Sequence, residues 1–126
     1  MKETKRSKQR DAIMEYLRST KSHPTAETVY NEIRPQIPNI SLGTVYRNLS
    51  LLEELGMVRK IPQGGEPDRF DADTTPHSHL KCSCCGSVSD IYFDPEHIDS
   101  LAAESCGCDI TGHDIMFFGV CTNCRN

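Results

Sequence analysis

Over the first 56 positions, apolar residues recur with a helical period. From Lys8 to Ser19, Ala12, Ile13, Tyr16 and Leu17 share one side of a helical wheel and charged residues take the other, which predicts an amphipathic helix. After His23-Pro24, Thr25 is a natural N-cap for a second helix carrying Val29, Tyr30 and Ile33 inward and stopping near Arg34-Pro35, because proline disfavours helix in the residue before it. Ser41 caps a third, longer helix with Leu42, Val45, Leu49 and Leu52 on one face, closed by Gly56. Beyond Gly56 the period shortens. Met57 to Ile61 and Asp68 to Asp71 bracket Pro62-Gln63-Gly64-Gly65-Glu66-Pro67, the pattern of a hairpin with a Gly/Pro-rich turn. Three helices on short links followed by a basic hairpin predict a winged helix-turn-helix domain over residues 1–71.

The pattern weakens over Asp73-Thr74-Thr75-Pro76, and residues 72–76 read as a hinge. Residues 77–126 predict strands from His77 to Cys82, from Val88 to Phe93 and from Ile110 to Cys121, with a short helix from Asp94-Pro95 to about Glu104. The expected fold class is α+β: a winged helix-turn-helix followed by a small α/β domain.

Charge sharpens this division. Residues 1–70 hold 12 of the 14 Lys/Arg and 9 of the 18 acids, a net +3, whereas residues 71–126 hold 2 bases and 9 acids, a net −7. A basic front suits a polyanion and an acidic, Cys/His-rich back suits a cation. Each part is small enough to need a metal or a partner chain for stability. No apolar run approaches the length of a membrane span and the N-terminus lacks an apolar signal core, so the expectation is a soluble cytoplasmic protein with no membrane partner.

The seven cysteines include two CxxC pairs, Cys82/Cys85 and Cys121/Cys124, separated by 35 residues. Each CxxC turn supplies one edge of a tetrahedron, so the four thiolates predict a structural zinc site. Two redox dithiols are the alternative, but no thioredoxin-like βαβ pattern surrounds them. Cys84, Cys106 and Cys108 remain as bystander or redox thiols. His77 and His79 stand two apart on a strand and so share a face, with Asp71 upstream and Asp90 downstream. Imidazole and carboxylate together suit iron(II), manganese(II) or zinc, although ordinary surface histidines fit the spacing equally well. His23 reads locally as a packed or solvated histidine between two helices. On the third helix Ser41, Thr44, Arg47 and Asn48 are expected outward with Tyr46 beside the seam, the residue types that meet base edges and phosphates. Lys2, Lys5, Arg6, Lys8 and Arg10 add charge suited to a nucleic-acid backbone.

The segments HPTAETVYNEI from His23, ISLGTVYRNLSLLEELGMV from Ile40, RFDADTTPHSHLKCSCCG from Arg69 and GVCTNC from Gly119 resemble the ferric uptake regulator superfamily, and within it the peroxide-sensing branch. The resemblance implies a homodimeric repressor binding a palindromic operator in double-stranded DNA, with residues 77–126 as a small α/β zinc-stapled, metal-binding dimerisation domain. It also implies a regulatory Fe2+ or Mn2+ site built from His23, Asp71, His77, His79 and Asp90, which turns His23 into an expected ligand. Asp90 stands where iron-uptake members tend to carry the longer Glu. A further metal site of those members has His113 and Glu96 as half its ligands here, while Pro76 and Ser78 replace the rest. The main expectation is therefore a metal-dependent, peroxide-sensing repressor and not an enzyme. The alternatives are an iron- or zinc-uptake repressor and a metalloenzyme using the His/Asp cluster.

Overall fold

A computed structural model describes residues 5–125, the first three of them as backbone only. Lys2 lies outside the described residues. The chain divides between Thr75 and Pro76 into two compact units, and the whole is α+β.

The first unit comprises α1 (Lys5–Ser19), α2 (Ala26–Ile33), α3 (Leu42–Glu54), β1 (Arg59–Gln63) and β2 (Glu66–Asp71). Its helices start where the caps demand. The Thr25 side chain accepts the Thr28 N–H at 3.3 Å and Ser41 accepts that of Thr44 at 3.1 Å, each cap contributing about 1 kcal/mol. Gly56, at φ 75°, turns the chain out of α3, and the Met57 N–H reaches back to the Leu52 carbonyl at 2.9 Å. α1 begins earlier than the amphipathic pattern suggests, because extending a nucleated helix over polar residues is cheap. Ile13, Leu17, Val29, Ile33, Val45, Leu49, Leu52, Val58 and Phe70 close into one core.

β1 and β2 form the antiparallel hairpin, with Arg59 opposite Asp71 and Gln63 opposite Glu66. The strands run further into the Gly/Pro-rich segment than expected, so the turn narrows to Gly64-Gly65. Both residues have positive φ, 58° and 105°, as a two-residue hairpin turn requires. Pro62 is accommodated by an irregularity between Ile61 and Gln63, where its missing N–H breaks no ladder bond.

Two face assignments on α3 are corrected. Leu42 is exposed rather than inward, and Asn48 is buried rather than outward. Asn48 Nδ2 donates to the Thr44 carbonyl at 3.0 Å. That bond within the helix satisfies the amide and allows a polar side chain to sit beside Leu49 in the core margin.

The second unit comprises β3 (Ser78–Cys82), β4 (Val88–Ile91), α4 (Glu96–Cys106) and β5 (Met116–Gly119). The sheet order is β4-β3-β5, with β3–β4 antiparallel and β3–β5 parallel. α4 lies in the crossover between β4 and the parallel strand β5, as a parallel pairing needs. It ends at Gly107 in the left-handed conformation, whose N–H caps the Ala103 carbonyl at 2.8 Å. β5 is shorter than the expected Ile110–Cys121 because a strand persists only where β3 offers a ladder. None of the α4 residues is buried, and Tyr92, Phe93, Leu101, Phe117, Phe118 and Val120 are exposed, Phe118 by 79%.

Candidate metal centres and nucleic-acid interface

The four CxxC cysteines meet at the C-terminal ends of β3 and β5. Cys82 and Gly119 are opposite each other in the parallel ladder, and the Ser83 N–H donates to the Gly119 carbonyl at 2.7 Å. This pairing brings the second knuckle under the first. One sulfur from each of Cys82, Cys85, Cys121 and Cys124 lies within 4.8 Å of the other three. Cys82 Sγ accepts backbone N–H groups from Cys121 at 3.3 Å and from Cys84 and Cys85 at 3.4 Å. Those donors, Cys121 foremost, lower its pKa from the ordinary alkaline value to about 6. The Ser87 hydroxyl, 3.1 Å from Cys85 Sγ, lowers the Cys85 pKa as well. Cys124 moves oppositely: Cys121 and then Cys84 beside it push its pKa far above the thiol range. Sulfurs this close cannot all ionise without a cation among them. A divalent thiophilic ion resolves that conflict, so the donor set fits zinc. Cys84 neighbours the cluster through Cys124, whereas Cys106, the last residue of α4, and Cys108, just beyond it, are exposed.

A second donor set lies at the start of the same sheet. His79 is opposite Asp90 in the β3–β4 ladder, and His77 enters two residues earlier. Asp90 Oδ1 is 3.0 Å from His77 Nε2 and 3.5 Å from His79 Nε2. The imidazoles pack edge to face with centroids 4.6 Å apart, and Tyr92 stacks on His77 at 5.1 Å. Both histidines are buried, unlike surface histidines. Three directed lone-pair donors converge there with their hydration removed.

In the first unit His23 and Asp71 form a comparable pair. His23 sits in the loop between α1 and α2 at φ 55°, a left-handed conformation costing a non-glycine residue about 1–2 kcal/mol. Its Nδ1 lies 2.6 Å from the Lys21 carbonyl, so Nδ1 carries the proton and Nε2 presents its lone pair. Nε2 is 3.3 Å from Asp71 Oδ2, with both side chains buried. Asp71 Oδ1 accepts the Asp73 N–H at 2.9 Å, which leaves Oδ2 toward the imidazole. A lone pair and a carboxylate oxygen at this distance call for a cation or a proton between them. Lys21 and Tyr92 were not signalled by ligand spacing: the first acts through a backbone carbonyl and the second through a strand neighbour.

His113 Nδ1 is 2.7 Å from Asp99 Oδ1 on α4, so the partner His113 has is a carboxylate other than Glu96.

On α3, Ser41, Tyr46 and Arg47 are exposed and Thr44 is half-buried. The Arg47 guanidinium donates to Thr44 Oγ1 at 2.8 Å, and that hydroxyl is 2.9 Å from Ser41 Oγ. The three side chains thus form a connected polar row beginning at the helix N-terminus. Asn48, turned inward, is not part of it.

A winged helix-turn-helix unit with an exposed polar third helix, joined to a sheet bearing metal-donor clusters, defines the class: a metal-linked DNA-binding regulator. Residues 1–118 match the sequence pattern of the ferric uptake regulator family, and the chain belongs to that family. The peroxide-responsive repressor PerR of Staphylococcus epidermidis is 38% identical over 118 residues, covering 93% of this chain and 79% of its own length. The solved Campylobacter jejuni peroxide stress regulator superposes with a TM-score of 0.80 at 28% identity, over 95% of this chain and 91% of that one. The Helicobacter pylori ferric uptake regulator Fur, whose structure reveals three functional metal binding sites, gives a TM-score of 0.82 over 100% of this chain and 83% of that one. At 24% identity that likeness speaks for the fold alone.

Proposed function

We propose that the chain is a metal-dependent transcriptional repressor that senses peroxide. The observation carrying this reading is the pair of buried imidazole–carboxylate sets, His23 with Asp71 and His77 and His79 with Asp90. One set belongs to the DNA-reading unit and the other to the zinc-stapled unit. In our reading both sets ligate one Fe2+ or Mn2+ ion, with residues 72–76 as the hinge and Zn2+ held by Cys82, Cys85, Cys121 and Cys124. Mixed nitrogen and oxygen donors without thiolate suit these harder ions.

The exposed aromatic surface of the second unit supports a homodimer. Two recognition helices then address a palindromic operator, since a two-fold protein reads a two-fold site. Ser41, Thr44, Tyr46 and Arg47 meet the duplex. Ligation across the hinge fixes the spacing of those helices, and the coupling is reciprocal, so operator DNA tightens metal binding by the same factor.

The chemistry a ferrous ion supplies when bound is the reduction of peroxide beside its own ligands. His23, His77 and His79 would hold the ion through Nε2 and would be the groups exposed to oxidation. An imidazole oxidised by peroxide would no longer donate its lone pair, so the units would be released and repression lifted. The protein is consumed as it senses, and so is not an enzyme. Soluble cytoplasmic residence accords with this role; no helix among the described residues is long and apolar enough to cross a membrane.

The peroxide reading, rather than response to metal concentration alone, is favoured by Asp90 and by the kinship with PerR. Operator binding by the iron-loaded and manganese-loaded protein, measured before and after peroxide, tests it. Peroxide should abolish binding in the iron form and spare the manganese form. Equal survival in both would establish an uptake regulator instead.

A further inference from the structure

His23 adopts a left-handed backbone conformation at φ 55°, which a β-carbon makes costly. Such a residue persists only where its surroundings over-determine it. The loop from Thr20 to Thr25 carries short-range bonds of its own, such as Ser22 N–H to Thr20 Oγ1 at 3.1 Å, and its long-range restraint comes from β2. The Arg69 guanidinium reaches across 46 residues of sequence and donates through Nη1 to the His23 carbonyl at 3.1 Å, and to the Ser22 carbonyl at 3.3 Å. The Phe70 N–H donates to the Pro24 carbonyl at 2.9 Å, and Thr25 bridges Arg69 in antiparallel fashion. Arg69 and Asp71 lie two apart on β2 and so share a face. One strand therefore carries the carboxylate beside His23 Nε2 and the guanidinium that grips His23 by its backbone.

We propose that Arg69 is a positioning residue for the regulatory metal: it clamps the His23 loop to the wing hairpin and so holds His23 Nε2 against Asp71. Arg69 touches neither the ion nor the DNA in this role. Its two bonds to consecutive carbonyls hold the two peptide planes that flank His23, and Lys21, through its carbonyl, sets the ring. The wing strand and the ligand loop then move as one piece. This inference rests on His23 and Asp71 acting as ligands, and deepens that reading.

The sign of the effect separates positioning from charge. Removing a cationic side chain near a divalent-ion site should tighten metal binding by Coulomb's law. Removing a clamp should weaken it, by roughly 10–100-fold as for other groups that orient metal ligands. Manganese(II) affinity of the zinc-loaded dimer, measured by calorimetry for Arg69→Met, is expected to fall by that factor with zinc content unchanged. Arg69→Lys, which retains a charge and one bond, should recover part of the loss. If Arg69→Met fails to fold, the comparison runs on Arg69→Lys alone, with a smaller loss expected.

His23→Ala provides the second arm. If Arg69 acts through His23, substituting Arg69 in the His23→Ala background should change affinity less than twofold. An undiminished loss in that background, or tighter binding by Arg69→Met in the parent, would overturn the clamp while leaving His23 as a ligand. Unchanged manganese affinity in His23→Ala itself would remove the ligand reading, and the clamp with it.

Discussion

At the residue scale, context separates Arg47 from Asn48, adjacent polar residues each able to pair with a base edge. Arg47 is exposed and held by the Thr44 hydroxyl, available to a base edge or phosphate. Substituting it by alanine should weaken operator binding by about 10–100-fold, as loss of one bidentate contact does, measured by fluorescence anisotropy at fixed salt. Asn48 spends its amide on the Thr44 carbonyl within the helix. Asn48→Ala should instead cost about 1 kcal/mol of stability, read as a lower Tm, with the preferred operator sequence unchanged. Helical spacing alone cannot separate the two residues. A wheel assigns position 48 to the edge of the apolar stripe, and only the packing of the core margin decides which way an edge residue turns.

The knuckle cysteines carry a residue-scale prediction in pH. Cys82 has its pKa lowered to about 6, chiefly by the Cys121 N–H. The thiolate's contribution is therefore present above the ordinary thiol value and is lost as pH falls toward about 6. In metal-free protein, ultraviolet thiolate absorbance should show one group titrating near that value. A single step in the ordinary thiol range would mean the backbone donors do not act.

At the element scale, helix ends follow local chemistry and strand ends follow the partner strand. Caps at Thr25 and Ser41 and the stops at Pro35 and Gly56 are local chemistry, and the helices obey them. β5 illustrates the opposite: a strand is expected from Ile110, yet it runs only from Met116 to Gly119, where β3 offers a ladder. β5 is also an edge of the sheet, and it carries Phe117 and Phe118 exposed. An apolar edge of this kind asks for a partner. Phe118→Glu should weaken self-association by about 2 kcal/mol, roughly thirtyfold, the worth of one buried aromatic side chain. Sedimentation across a dilution series measures it, with zinc content as the control for folding.

At the scale of the whole molecule, the two proposed metal roles are separated by what each loss should remove. The tetrathiolate cluster joins the ends of β3 and β5 in a unit whose helix buries none of its residues. Cys82→Ser should therefore release zinc, abolish the dimer and abolish manganese-dependent operator binding together, by elemental analysis, sedimentation and anisotropy. His23→Ala should keep zinc and the dimer and lose only the manganese dependence of operator binding. Loss of dimerisation in the second variant would show that the two sites are not separable.

The sequence by itself determined whatever depends on neighbours along the chain: capped helices, the glycine turn, the CxxC knuckles and the family to which the motifs belong. Thiolate spacing predicts the first cluster because each CxxC turn places its two sulfurs locally. The His/Asp donors lie too far apart in sequence for spacing to choose among them, and only the family resemblance points to His23 as a ligand. Tertiary structure decided that His79 faces Asp90 across a ladder, that His23 presents Nε2 to Asp71 and that Asn48 turns inward. It also revealed Arg69 gripping the His23 loop from 46 positions away. Each of those outcomes follows from strand register and core packing, which bring together residues that local chemistry leaves independent.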